Sequence, residues 1–121
     1  MPNLKSWIIN IQQYELRLAD LNPQFGTEPG KTRPVVIVQT DLLNITHPST
    51  IICPITTNVQ PKATILRVHL KKGESNVKTD CDIMIDQLRA IDNKRVIKKT
   101  GKLTQQKIKT LTQNIKILLD L

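Results

Sequence analysis

Aromatic residues are almost missing from this chain: Trp7, Tyr14 and Phe25 are the only ones in 121 residues. The core must therefore be aliphatic, and the shortage argues against a wide platform for stacking bases. Histidine is equally scarce. His47 and His69 stand far apart, with no H-x-x-x-H, and Cys53 and Cys81 make no C-x-x-C, so a metal-centred enzyme has no support. His47 precedes Pro48 in a loop and reads as solvated, while His69 reads as an exposed cross-strand neighbour rather than a catalyst. Both cysteines lie in apolar strand-like runs, which favours buried reduced thiols over a disulfide and fits a cytoplasmic protein. Of the four glycines, none completes a phosphate loop: "GTEPGKT" contains Gly-Lys-Thr without the first glycine at the required distance. No membrane span or signal peptide is expected, since the short apolar patch Trp7 to Ile11 is broken by Asn10.

What the chain has in excess is positive charge. Eighteen Lys and Arg against ten Asp and Glu leave a net +8, which favours a polyanionic partner such as RNA, DNA or an acidic protein tail. The length suits one domain with one core. Short strands are expected at Tyr14–Asp20, Arg33–Thr40, Thr50–Thr56, Ala63–Leu70 and across Cys81–Asp92, the last as one strand or two. Pro34 belongs at a strand start or edge, and Pro54 implies a bulge or an edge. The continuous run Val35–Val38 suggests a strand buried on both faces. The period then changes: Ile108, Leu111, Ile115, Leu118 and Leu119 form one helical stripe, with Lys107, Lys109 and Lys116 turned away and Thr104 placed to cap the start. The expectation is a mainly β domain (α+β), a small curled sheet or barrel of about five to seven strands with the C-terminal helix 104–120 packed on it. Residues 14–121 make one domain behind an extension, 1–13.

The loop "FGTEPGKTRP" sets an arginine, followed by a proline, at the mouth of a buried strand. With Thr56, Asp86, Gln87 and Arg89 also near strand ends, an anion-handling set exists without histidine or metal. RNA offers such a set a reaction. Its own 2′-OH attacks the adjacent phosphate, while Arg stabilises the added charge, Thr donates a hydrogen bond and Asp accepts a proton. Two readings remain open on spacing alone: Arg33 as anion site, or Arg33 as structural partner of Glu28.

Three ordered stretches, "LADLNPQFGTEPGKTRPVVIVQTD", "ICPITTN" and "IDQLRAIDNKR", resemble the MazF/PemK family of toxin endoribonucleases from Tyr14 to Leu121. Their most specific part is G-x-E-x-x-x-x-R-P, Gly26 to Pro34. The resemblance implies an SH3-like barrel and a homodimer without cofactor. It implies metal-independent cutting of single-stranded RNA to a 2′,3′-cyclic phosphate and a 5′-OH, and an antitoxin whose disordered acidic tail fills the RNA groove. Carried over by position, Arg33, Thr56 and Asp86 are the catalytic candidates, and Phe25, Gly26, Thr27, Glu28, Thr57, Gln87 and Arg89 fall where substrate contacts are expected. Phe25 stands either to stack a base or to cover the core. A binding-only member of the same fold, like the gyrase-binding CcdB toxins, is the alternative. Two positions depart from the family: Arg17 where an aromatic is usual, facing solvent, a partner subunit or the core, and Gln13 where glycine is usual.

Overall fold

The computed structural model describes residues 11–44 and 46–121. Seven strands and one helix follow in chain order: β1 (Glu15–Asp20), β2 (Thr32–Ile37), β3 (Ser49–Thr56), β4 (Arg67–Leu70), β5 (Cys81–Met84), β6 (Arg89–Asp92), β7 (Val96–Lys102) and α1 (Gln105–Leu119). The sheet runs β4-β5-β3-β2-β1-β7, with β6 also on β3, and every pairing is antiparallel. No ladder joins the ends β4 and β7, so among the described residues the expected barrel is a curled sheet left unclosed. Of the expected extension 1–13, residues 1–10 lie outside the described residues. Ile11 is buried, and Gln13 binds back to Asp41 and Val38.

Strand β2 is buried on both faces, as its aliphatic run implies. Val36 packs with Leu16, Cys53, Ile55, Val68, Ile83 and Leu111 in one aliphatic cluster; Val35 and Ile37 pack with Ile11, Ala19, Leu21, Ile52, Ile91 and Val96 in a second. Each fully buried Val or Ile contributes on the order of 2 kcal/mol, which is how a core without aromatics suffices. The ladder ends at Ile37, short of Thr40, because Val38 and Gln39 N–H both reach Ile51 O, and the buried Gln39 side chain then bridges Ile51 N–H, Ser49 O and Asn44. Pro54 lies where β3 changes partners, from β6 (Ser49–Ile52) to β5 (Ile55–Thr56), so its missing N–H falls at a gap.

One further span changes and one strand is added. Strand β4 begins at Arg67, not Ala63, because Thr64–Leu66 belong to the preceding loop. Strand β7 is an addition: only Val96 and Gly101 are buried along it, and two register shifts against β1 erase its alternation. Both thiols are free and buried, and burial pushes Cys53 up to about 12 and Cys81 up to about 11, so neither is a nucleophile. Arg17 faces inward and is held by Glu15, whose other oxygen takes Lys99. On α1 the Thr104 hydroxyl accepts from Lys107 N–H, the expected cap. Leu111 is buried and Ile108 and Ile115 pack against the same cluster, but Leu118 and Leu119 are exposed, so the stripe leaves the sheet after Ile115. Lys107 is half-buried, its ammonium on His69 O at 2.7 Å.

The edge of β7 is covered by the turn Glu74–Asn76, whose backbone crosses Gly101 so closely that a Cβ there would stand 2.0 Å from Ser75 O. Backbone cannot yield as a flexible side chain can. Gly101→Ala is therefore expected to cost about 2 kcal/mol or more and to lower the thermal midpoint by roughly 5 to 10 °C, measured by circular dichroism.

Candidate functional site

The site is built at one end of β2 and β3, on the face of the sheet that also carries Val35 and Ile37. Val35 pairs with Pro54 and Val36 with Cys53. Continuing that register by two residues sets Arg33 opposite Thr56, and Arg33 Nη1 does reach Ile55 O at 3.4 Å. Directly opposed residues share a face. Thr56 in turn opposes Asp82 on β5, and Asp82 opposes His69 on β4. One transverse row, Arg33–Thr56–Asp82–His69, therefore crosses four strands on the face away from Val36, Ile55, Ile83 and Val68.

Arg33 is half-buried. Its Nε donates to Gly30 O at 3.0 Å, so the guanidinium is held by two carbonyls and, among the described residues, by no carboxylate. Burial draws its pKa down from the ordinary guanidinium value. Glu28 pairs not with Arg33 but with Arg89, at 3.8 Å. The base of the loop is fixed by Leu21 N–H on Lys31 O and Lys31 N–H on Asn22 Oδ1, and Arg95 reaches Asp20 O and Asn22 O. At its tip Gly26 has φ +55 with nothing close to a Cβ, a conformation that suits glycine. Phe25 is 64% exposed, so it does not cover the core.

Thr56 is half-buried, and its Oγ1 accepts from Asn58 N–H at 3.1 Å. An oxygen that accepts there keeps its own hydrogen for a substrate oxygen. Thr57 is exposed beside it. Asp86 and Gln87 sit on the short 3₁₀ turn Ile85–Gln87; the Asp86 carboxylate is exposed, and its charge helps raise the Cys53 thiol. The geometry thus brings Arg33 to Thr56 and Glu28 to Arg89. Asp86 bonds to neither pair, and by register its turn lies alongside Cys53 rather than Thr56.

Sequence reasoning missed Asp82, Arg67 and the tie that His69 makes to the loop. His69 is a cross-strand neighbour as expected, opposite Asp82, but half-buried and engaged: its Nδ1 lies 2.6 Å from Asp82 Oδ1, and its Nε2 lies 2.9 Å from Ala63 O. The alternation of "CDIMID" puts Asp82 off the core face, which was the signal available, but nothing local reveals a loop folded over it. Among the described residues no group of three or more His, Cys, Asp or Glu stands ready to hold a metal, and no helix is long and apolar enough to cross a membrane.

The family model described as PemK-like, MazF-like toxin of type II toxin–antitoxin system matches residues 12–119. The chain is 34% identical over 107 residues to the endoribonuclease MazF of Staphylococcus saprophyticus, covering 88% of this chain and 89% of that protein. Its fold is that of MazF from Deinococcus radiodurans, with a TM-score of 0.78 at 20% identity over 92% of this chain and 97% of that one. A mycobacterial endoribonuclease solved with its cognate antitoxin gives 0.75 at 13% identity, over 92% and 96%.

The Glu28–Arg89 pair is long, and its carboxylate is 43% exposed, so its contribution to folding is small. Glu28→Gln is expected to change stability by less than about 0.5 kcal/mol in urea denaturation.

Proposed function

The chain belongs to the PemK-like, MazF-like toxin family of type II toxin–antitoxin systems, and on that premise we propose that the Arg33–Thr56 site cuts single-stranded RNA without a metal. The observation that carries the reading is Arg33: a partly desolvated cation with two carbonyl acceptors and, among the described residues, no counter-charge. A phosphodiester supplies what is missing, and the guanidinium fork matches two of its oxygens.

The step balances within the substrate. The 2′ oxygen bonds to the adjacent phosphorus and the P–O5′ bond breaks, leaving a 2′,3′-cyclic phosphate and a 5′-OH. One proton leaves the 2′ hydroxyl and one arrives at O5′. Arg33 and the Thr56 hydroxyl face the non-bridging oxygens, where charge builds. Asp86, an exposed carboxylate at the rim, is the proton acceptor in this reading. Phe25, Gly26, Thr27 and Glu28 on the loop, with Thr57, Gln87 and Arg89, line the path of the strand, and Phe25 is free to stack on one base. DNA lacks the attacking hydroxyl.

The +8 charge suits RNA and equally an acidic antitoxin tail, which competes for the same cation. A second copy of the chain covers the apolar surface left by α1, where Leu118, Leu119 and Leu121 are exposed; Asn114 donates to the Thr64 carbonyl and so ties the loop carrying exposed Ile65 and Leu66 to the helix. The reading places the protein in the cytoplasm, where its messenger substrate is made and its thiols stay reduced.

The test is incubation of purified protein with mixed-sequence single-stranded RNA in EDTA, followed by analysis of product ends. Cleavage with cyclic phosphate is expected, with a loss of about a hundredfold or more in Arg33→Ala and a smaller loss in a folded Thr56→Ala. Raising salt from about 50 to 200 mM is expected to weaken RNA binding about tenfold or more. Intact RNA across a wide panel would favour the binding-only alternative. Separately, Leu118→Glu is expected to yield a folded monomer by light scattering; a variant that stays dimeric would remove α1 from the interface.

A further inference from the structure

The loop between β3 and β4, residues 57–66, leaves directly from Thr56 and contains no glycine. It folds back over β5, and Asp82 beneath it is 0% exposed. Every polar contact of that carboxylate runs to the loop or to a side chain that holds the loop. Oδ2 accepts from Gln60 N–H at 2.8 Å and from Arg67 Nη1 at 3.1 Å; Oδ1 faces His69 Nδ1 at 2.6 Å. Arg67 Nη1 also donates to Asn58 O at 3.0 Å, and His69 Nε2 faces Ala63 O at 2.9 Å. One buried charge thus gathers the loop at three backbone points: Gln60 directly, Asn58 through Arg67 and Ala63 through His69.

We propose that Asp82 is a positioning residue for Thr56, acting through the turn Thr56–Asn58. Its catalytic consequence rests on the nuclease reading above; the geometry of the turn does not. The chain of contacts is short. Asp82 fixes Arg67, Arg67 fixes Asn58 O, and Asn58 N–H fixes Thr56 Oγ1 at 3.1 Å. The carboxylate is also the ladder neighbour of Thr56 on the same face, so the turn closes over its own anchor.

Stability alone does not explain such a residue. A buried ion pair adds little over an apolar packing of similar volume, whereas breaking one is costly. An aliphatic residue at 82 would serve the sheet and leave the loop untied. Arg67 Nη1 and both ring nitrogens of His69 are already engaged by Asp82 and by loop carbonyls. Their work is to hold the turn, and a reacting group displaced by about 1 Å loses on the order of a hundredfold in rate.

The experiment compares wild type, Asp82→Asn and Arg67→Met. Arg67→Met removes the bridge to Asn58 O but leaves Gln60 and His69 on the carboxylate. Amide exchange at Asn58 and Gln60 is read by NMR, and kcat and KM are measured on single-stranded RNA. Both folded variants are expected to exchange about tenfold faster at Asn58 and to lose about tenfold or more in kcat, with KM within about threefold. Wild-type exchange in a folded variant overturns the proposal. So does faster exchange with kcat unchanged, or a rise in KM alone, which would make the loop an RNA contact. If Asp82→Asn does not fold, Arg67→Met decides by the same readouts. A wild-type chain that leaves RNA intact overturns the nuclease reading alone, and exchange at Asn58 and Gln60 then decides the positioning claim by itself.

Discussion

A guanidinium held by two backbone carbonyls and, among the described residues, by no carboxylate is the constraint around which this end of the molecule is arranged. Carbonyl oxygens satisfy hydrogen bonds without cancelling charge. Arg33 therefore keeps its full positive charge while losing part of its water, and burial pulls its pKa down accordingly. Such a residue persists only where the backbone around it is over-determined. The β2–β3 ladder fixes it from one side, and the loop base closed by Lys31, Asn22 and Arg95 fixes it from the other. Half-exposure limits the cost and also keeps the charge within reach of an anion.

Arg67 and Arg89 lie on the same face, and their surroundings differ in a way that assigns their work. Arg67 meets the fully buried Asp82, and Arg89 meets the half-exposed Glu28 across 3.8 Å. A buried pair is costly to break, whereas an exposed one at that distance contributes little and parts easily. Arg67 is thus committed to the fold, Arg89 is loosely held, and Arg33 alone of the three meets no carboxylate among the described residues. Charge counting would have ranked them equally; only their partners separate them.

Much of this was legible in the chain. The two-faced burial of β2 follows from four consecutive aliphatic residues, the helix from its apolar spacing, and the place of Pro54 from its missing N–H. The Arg-Pro loop stood out as a candidate site because proline near a strand start and glycine at a loop tip are readable punctuation. What was not legible depends on contacts distant in sequence. Strand β7 hides its pattern because Lys98, Lys99 and Lys102 lie outward and bulges break its alternation. His69 looked exposed because its cover comes from residues 57–66, and a loop's fold over a sheet leaves no periodic trace. Asp82 was not singled out for the same reason. Arg17 is buried beside Glu15 two residues away, on a strand where alternation with Leu16 and Leu18 left its direction open.

Likeness of fold does not by itself carry chemistry here. Solved relatives at 13% and 20% identity share the sheet and helix, because an aliphatic core tolerates wide substitution if volume and pattern are kept. The same curled sheet would form with leucine or serine at position 56, and with lysine at 33. What distinguishes a site from a scaffold is the set of choices that the fold does not require. Among the described residues a cation meets no counter-charge, and the threonine opposite it has a hydroxyl hydrogen to give. A glycine at φ +55 tips the loop beside them, and a buried carboxylate is spent on a turn rather than on the core. Each is neutral or mildly costly to stability, and together they converge on one rim. That convergence, rather than the shared architecture, is the physical reason to place phosphate chemistry there.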